Sequence, residues 1–469
     1  MLKTIRSLFT AIVAAALTCA TGLAQPVIPG AVGFGVDTPA GRGGKIIRVT
    51  NLNASGPGSL AACVAESGPR ICVFEVSGTI RLTGNLAIQN PYITIAGQTA
   101  PAPGIMLRGA ALAVRASNVL VQHIAIRAGD DLDGPLLHSR DALKILGTKG
   151  PVHDVVIDHC SLSWAIDEVV EVWGAEWDNV TLSNNIFSEP LRDAPDEAGK
   201  DQGFGVLIDA TKGRISMIGN LFAHTHNRAP RSAAERFVFV NNLVYNSGII
   251  QLNLYNEDGL TTQNSIVGNV FINGRDTSAP MPIKINGDGI NGIQSSVLLG
   301  TTVFLDDNSA VEGDGDPWSL VLNESDLSVS SLKTVTAPVW PSGLAAMSTA
   351  ENKVKDYVLT YAGSRPAERN GVDARIVKDV RNGTGRIINC VADDGSTRCA
   401  KNAGGWPQLA ANTRRLEIPQ DPNGDDDGDG YTNVEEWLQD LASQVEGRSV
   451  SGDERSPPNP PHLKADAAP

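Results

Sequence analysis

A right-handed parallel β-helix is the fold class that this 469-residue sequence predicts, and three observations predict it. A short pattern recurs from about Val119 to Asn273: "NVLVQHIAIR", "DVVIDHCSLS", "NVTLSNNIFS", "RISMIGNLFA", "RFVFVNNLVY" and "QNSIVGNVFI". Each unit is a period-two apolar strand, a polar pair and a second short apolar strand. Aligning the units stacks Ile124, Cys160, Asn185, Asn220, Asn242 and Asn269, with successive gaps of 36, 25, 35, 22 and 27 residues. Regular strands with irregular insertions mark a solenoid, whose coils repeat while the loops on one face vary in length. Asn at the stacked bend can bond its counterpart in the next coil and satisfy buried backbone groups. A β-sandwich instead needs hairpin signals between neighbouring strands, and the long insertions fit that less well.

In chain order, residues 1–24 read as a secretory signal peptide. Lys3 and Arg6 precede the apolar run Leu8–Leu17, and Gly22-Leu23-Ala24 ends it with small residues, so cleavage is expected after Ala24. The run is short for a bilayer span, and Cys19 follows Ala-Leu-Thr, a poor lipobox. Residues 25–345 are assigned to the β-helix. Within them "VTNLNASGPGSLAACVAES" gives a strand and then a short helix capped by Ser59, suited to cover the open end of the solenoid. Residues 346–420 form an extension packed on the β-helix, with helical spacing broken at Gly363 and Pro366. Residues 421–446 hold an acidic loop and a helix, and residues 447–469 ("SPPNPPHLKADAAP" at their end) have the composition of a disordered tail.

The net charge of −14 argues against a nucleic-acid binder. An anionic substrate would therefore need a local basic patch or bridging cations. No membrane span, an exported location (extracellular or periplasmic) and a monomer are expected. Five cysteines follow the leader. In an oxidising compartment Cys63–Cys72 and Cys390–Cys399 are expected as local disulfides, with Cys160 a buried thiol. Five reduced thiols are the other reading.

Three constellations could carry chemistry. Asp141 lies in "HSRDALKI", and Asp167 and Glu171 lie in "SWAIDEVVEVWG" one coil later. Coils stack about 4.8 Å apart, so acids on neighbouring coils can share a cation, and Ca²⁺ accepts many oxygens in flexible geometry. Positions four apart on one strand are about 13 Å apart, however, so the chain must bend or more than one ion must bind. Taken alone, these read more readily as ordinary surface acids. Arg228 and Arg231 flank Pro230 in "HTHNRAPRSAAER", and Lys200 lies in the insertion "LRDAPDEAGKDQGFG". Three cations opposite an acidic cluster can grip an acidic polymer; salt-bridged structural arginines are the plainer reading. In "DDDGDGYTNVEE", Asp425, Asp427 and Asp429 take positions one, three and five of a calcium loop. Gly430 falls at six, Tyr431 with its carbonyl at seven, Asn433 at nine and Glu436 at twelve. Pro419 and Pro422 stand where a preceding helix would be, so a lone, dockerin-like or structural calcium loop is expected, with a solvated acidic linker as the plainer reading; a dockerin would need a second copy of the repeat, and none is visible.

"VVIDHCSLSWAIDEVVEVWG" together with "HNRAPR" resembles the pectate lyases of polysaccharide lyase family one, of the secreted bacterial type. The resemblance runs from about Gly33 to Ile290, and "VDARIVKDVRNGTG" is similar to the rear part of bacterial members. It departs from the family in having Val156 where a Trp precedes Ile-Asp-His. The second arginine comes early at Arg231, with Arg236 competing for that role. The resemblance implies Asp141, Asp167 and Glu171 as calcium ligands, the last two with Asp and Glu exchanged, and Asp158-His159 as structural. It implies Arg228 as catalytic base, with Lys200 and Arg231 binding substrate. The activity implied is Ca²⁺-assisted β-elimination on polygalacturonate, the acidic polysaccharide partner. An alginate lyase on a similar solenoid and a non-catalytic polysaccharide-binding solenoid are the rival expectations. A polygalacturonase is disfavoured because its Asn-Thr-Asp and Gly-His-Gly segments are missing from the sequence.

Overall fold

The computed structural model describes residues 25–193, 202–209, 211–256, 260–287, 299–310 and 315–448. The leader 1–24, Lys200 and residues 449–469 lie outside the described residues.

Three sheets of ten, nine and nine strands run the length of a right-handed parallel β-helix. Each coil visits them in the same order. Val119–Gln122 belongs to the first sheet, Ile124–Arg127 to the third and Leu143–Leu146 to the second, before Val152–Asp158 returns to the first. All strand pairings within the sheets are parallel; Val155 to Asp158, for instance, align with Val119 to Gln122 on one side and Val180 to Ser183 on the other. The repeat units align in register because each contributes one strand to the first sheet and one to the third.

The interior is a column of apolar side chains. Phe187, Phe222 and Phe239 stack through it with ring centroids 5.0 and 5.9 Å apart. Each such fully buried ring contributes on the order of 1.5–3 kcal/mol. At the bend between the first and third sheets, the asparagines form a continuous buried ladder. Asn185 donates its backbone N–H and its amide to Asn220 Oδ1, Asn220 does the same to Asn242, Asn242 to Asn269 and Asn269 to Asn308. Asn308 is a rung that the sequence alignment missed. The residue just before each rung turns the corner with positive φ, as at His123 (57°), His159 (47°), Asn184 (54°), Gly219 (68°) and Asn241 (59°).

Helix α1 (Leu60–Ala65) covers one end, with Ser59 accepting from the Ala62 N–H as its cap. The Cys63–Cys72 disulfide ties it to the first sheet. The buried Arg70 guanidinium donates to the carbonyls of Cys63, Val64 and Asn90, which satisfies these backbone oxygens and ties the helix to that end. At the other end lies the single turn α2 (Val329–Leu332). Helices α3 (Lys353–Tyr361) and α4 (Gly371–Asn382) cover the outer face of the third sheet, packing Val354, Val358, Ile376 and Val380 with Trp164, Ile186, Leu221 and Leu243. The second disulfide, Cys390–Cys399, lies beyond α4, and Cys160 is a buried free thiol. Helix α5 (Asn433–Glu446) sets Val434 and Leu438 against Ile71 and Val73 of the first sheet. Gly447 caps it at φ 75° and Arg448 folds back onto Glu446, so the first two residues of the expected tail belong to the helix end. Among the described residues no helix is long and apolar enough to cross a membrane.

Candidate active site

Several outward positions of the second sheet carry charged side chains. One ladder runs Lys144, Glu171, Leu207, Arg231, Asn253, Lys284 through five successive pairings. The segments that lead into these strands from the third sheet carry the remaining candidate residues. Asp141 stands two residues before Leu143–Leu146, Asp167 directly before Glu168–Trp173, and Arg228 shortly before Arg231–Ser232. Successive coils therefore bring residues far apart in sequence to one stretch of surface.

Asp141 is fully buried. The Lys144 ammonium lies 2.5 Å from its Oδ2, and its Oδ1 has no hydrogen-bond partner among the described residues. Burial pushes its carboxyl well above the usual range, Lys144 opposes this, and Glu171 and Asp167 push the same way as burial. Burial disfavours the Lys144 ammonium too, but Asp141 and Glu171 hold its pKa above the ordinary value. Asp141, Asp167 and Glu168 offer oxygens that all lie within 4.8 Å of one another. Such an all-oxygen set, with a buried oxygen lacking a donor, fits a hard cation of the calcium type.

Glu168, and not Glu171, is the third member of this group. Glu171 lies in register with Lys144 and receives its ammonium at 2.9 Å, outside the group of three. The reason is the extended strand: its four-residue separation from Asp167 carries Glu171 along the sheet, whereas Glu168 stays at the mouth of the coil. The adjacency of Asp167 and Glu168 was visible in "AIDEVV"; what register would place beside each was not.

Arg228 pairs with Glu168 and lies over the Phe204 ring, its guanidinium carbon 3.8 Å from the centroid. Its backbone is fixed on both sides: its N–H donates to Asn227 Oδ1 at 2.7 Å, and its carbonyl accepts from Val206 at 2.6 Å. Its φ of 61° lies in the left-handed region, which costs an arginine about 1–2 kcal/mol and is sustained by these contacts. Gly205 makes room for this turn, since a Cβ there would lie 2.3 Å from the Arg228 carbonyl oxygen. Burial, helped by the neighbouring Arg231, lowers the Arg228 pKa to about 10. Arg231 lies over Tyr255 at 4.0 Å. Arg236, the competing match, belongs to the first sheet and pairs with Glu235 at 3.5 Å. Lys200 falls outside the described residues. Phe204 and Tyr255 carried no signal in the sequence, because an aromatic in a strand reads first as core.

Asp158 and His159 lie at the other bend of the coil, within a buried polar network. The calcium-type loop is formed as well. Asp425, Asp427 and Asp429 oxygens lie within 4.8 Å of one another at an exposed position. Asp425 accepts from the N–H groups of Gly428 and Gly430, and Asp429 from that of Tyr431. Glu436 stands in the first turn of α5.

The chain is 31% identical over 437 residues to the probable pectate lyase C of Aspergillus flavus, covering 88% of this chain and 93% of that one. The chain belongs to the pectate lyase family. The probable pectate lyase C of Aspergillus terreus is likewise 31% identical over 444 residues, with 90% and 96% covered. Membership of the pectate lyase family brings lyase-type activity on a parallel β-helix. No family model matches the sequence. Among solved structures, the cedar pollen allergen jun a 1 aligns with a TM-score of 0.48 and 18% identity over 70% of this chain and 91% of that one. A Bacillus pectate lyase in complex with trigalacturonate aligns at 0.45 and 14% identity, over 70% and 95%.

Proposed function

We propose that this member of the pectate lyase family is an exported enzyme that cleaves polygalacturonate by calcium-assisted β-elimination. The observation that carries the reading is the meeting of Arg228, with its lowered pKa, and the Asp141–Asp167–Glu168 group where the chain enters the strands of the second sheet. Asp141, Asp167 and Glu168 would hold Ca²⁺, with Glu171 in the adjoining rung beside Lys144. The ion would neutralise the substrate's uronate and the enolate-like charge that develops when the C5 proton leaves.

The rest falls to the chain. Arg228, partly buried and beside Arg231, is a stronger candidate base than an exposed arginine, because its neutral form costs less to reach. Its rigid backbone fixes the reach of the guanidinium. Arg231 and Lys200 grip carboxylates of the polymer, so a net anionic protein can accept an anionic chain. The proton on C5 passes to Arg228, a C4–C5 double bond forms and the glycosidic oxygen on C4 leaves. The two disulfides suit an oxidising compartment, and the second Ca²⁺, in the Asp425–Glu436 loop with the Tyr431 carbonyl, stabilises the chain and takes no part in turnover. The deciding experiment follows ultraviolet absorbance of the unsaturated product. It should rise with polygalacturonate, stay flat with alginate, vanish with a chelator and return with Ca²⁺. A rise with alginate alone, or full activity after thorough chelation, would overturn the reading.

A further inference from the structure

A second cluster of ligand-type side chains lies at the bend between the first and third sheets, where the end of α5 meets the solenoid. Along that bend the left-handed corner is filled by Asn or Gly at positions 184, 219, 241 and 268, but by His123 and His159 on two neighbouring coils. Both imidazoles are buried, and their rings stack 5.2 Å apart with planes inclined by 15°.

Their hydrogen bonds fix their tautomers. His123 Nδ1 is 2.9 Å from the Ser364 carbonyl oxygen, an acceptor, so Nδ1 carries the hydrogen. His159 Nδ1 is 2.7 Å from Asp158 Oδ2, again an acceptor. Neither Nε2 atom has a hydrogen-bond partner among the described residues. Burial disfavours the charged His159 ring, but Asp158 and Glu446 raise its pKa above the ordinary value. Beside them is the buried Glu446, whose Oε1 is 3.4 Å from His123 Nε2 and 3.6 Å from His159 Nδ1. Its other oxygen is taken by Arg448 at 2.8 Å. Glu446 is also the last residue of α5, where the helix dipole disfavours an anion. Tyr357 and Arg448 complete the charged and titratable surroundings together with Asp158.

The atoms that His123, His159 and Glu446 can offer lie within 4.8 Å of one another. A proton on an imidazole can offset the Glu446 carboxylate in this buried site, and a divalent cation standing between the ligand atoms can take that proton's place. The separation suits one: ligands about 2.0–2.1 Å from a tetrahedral zinc lie roughly 3.3 Å from each other. The His123 Nδ1 bond to a backbone carbonyl is of the kind that orients a metal-binding histidine. We propose that His123, His159 and Glu446 form a site for a divalent cation of the zinc type, which fastens the end of α5 to the solenoid. Two nitrogens and one oxygen select a borderline cation, in contrast to the all-oxygen groups at Asp141 and Asp425.

The test uses the full chain, stripped by chelator and returned to saturating Ca²⁺ so that the carboxylate sites are filled. Co²⁺ is then titrated in, and its visible absorption is followed. One equivalent should give the intense band of a tetrahedral ion, and one equivalent of Zn²⁺ should abolish it. His123→Gln and Glu446→Gln, checked for folding by circular dichroism, should each weaken Co²⁺ binding at least tenfold and leave the rate on polygalacturonate unchanged. The wild-type titration decides even if a variant fails to fold. A weak octahedral spectrum, absence of any band at one equivalent, or a band that persists in both folded variants would overturn the site.

Discussion

The two bends on either side of the third sheet do opposite things with one backbone. Between the first and third sheets, from Val119 onward, the turn is one or two residues long, as at His123 or at His159-Cys160, and it repeats from coil to coil. There the side chains bond mainly to one another and to the backbone, through the Asn185-to-Asn308 ladder. Between the third and second sheets the connection runs from three residues (109–111) to fifteen (128–142). There the side chains carry charge: Asp141, Asp167, Glu168 and Arg228. A solenoid keeps its register at the short bend and can vary its chemistry at the long one. Substitutions at the first should act on stability and at the second on turnover.

The largest expected effect is at the long bend. Arg228→Lys keeps a cation but changes the reach and planarity of the head. If Arg228 is the base, kcat at saturating polygalacturonate should fall about 10²–10⁴-fold, with the melting temperature nearly unchanged. A rise in KM alone would make Arg228 a binding residue. If Lys200→Ala abolishes kcat while Arg228→Lys does not, the lysine is the base. At the short bend the expectation reverses. Asn220→Ala orphans the buried Asn185 N–H and the Leu182 carbonyl, both of which the amide satisfies. The cost should be about 2–5 kcal/mol, read from the denaturant midpoint, with kcat of the folded fraction unaltered. A loss of kcat at full folding would break the contrast.

The same contrast governs what could be read from the sequence. The short bend repeats, so period-two strands and stacked asparagines revealed the solenoid and its register. Asn308 escaped because it lies 39 residues beyond Asn269, past a long insertion. The site is less regular. Asp141, Asp167 and Arg228 stood out by motif, but Lys144 is an ordinary strand lysine until register sets it beside Glu171 and Asp141. Glu168 had the same difficulty: its contact with Arg228 crosses an intervening coil. The contact of Glu446 with His123 joins the chain's end to an early coil, and no local pattern announces it.

A smaller effect tests how the extension is held. Glu189 lies in the long connection and is buried, with Arg375 of α4 at 2.7 Å from each of its oxygens and Trp164 Nε1 at 3.0 Å. Burial alone would raise its pKa, but the Arg375 guanidinium overcomes this and holds the carboxyl below the usual range. A depressed folded pKa contributes stability above the unfolded value of about 4.3 and loses it as pH falls toward the folded value. Unfolding measured from pH 7 to pH 3 should therefore show a stability loss below about pH 4.3 that Glu189→Gln lacks. The substitution should cost about 1.5 kcal/mol at pH 7, the low end for a charged hydrogen bond, because Arg375 is partly solvated. An identical acid limb in the two proteins would mean that α4 is held by its apolar face alone.

The smallest effect concerns a region that belongs to neither bend. The Asp425–Glu436 loop is exposed and gathers three aspartates within 4.8 Å, where their mutual repulsion opposes closure until a cation enters. The Asp425 and Asp429 side chains already accept N–H groups across the loop, so its shape is prepared. Glu436, in the first turn of α5, is the last ligand in such a loop, and α5 packs on the first sheet, not on the sheet that carries Arg228. Ca²⁺ bound there stabilises the docked helix by mass action, and a tenfold weaker site loses at most about 1.4 kcal/mol of that. Glu436→Gln should therefore flatten the rise of melting temperature with Ca²⁺ by a few degrees. Its kcat at saturating Ca²⁺ should stay within about twofold of the parent. A collapse of kcat in fully folded Glu436→Gln would tie the loop to turnover and erase the division between structural and catalytic calcium.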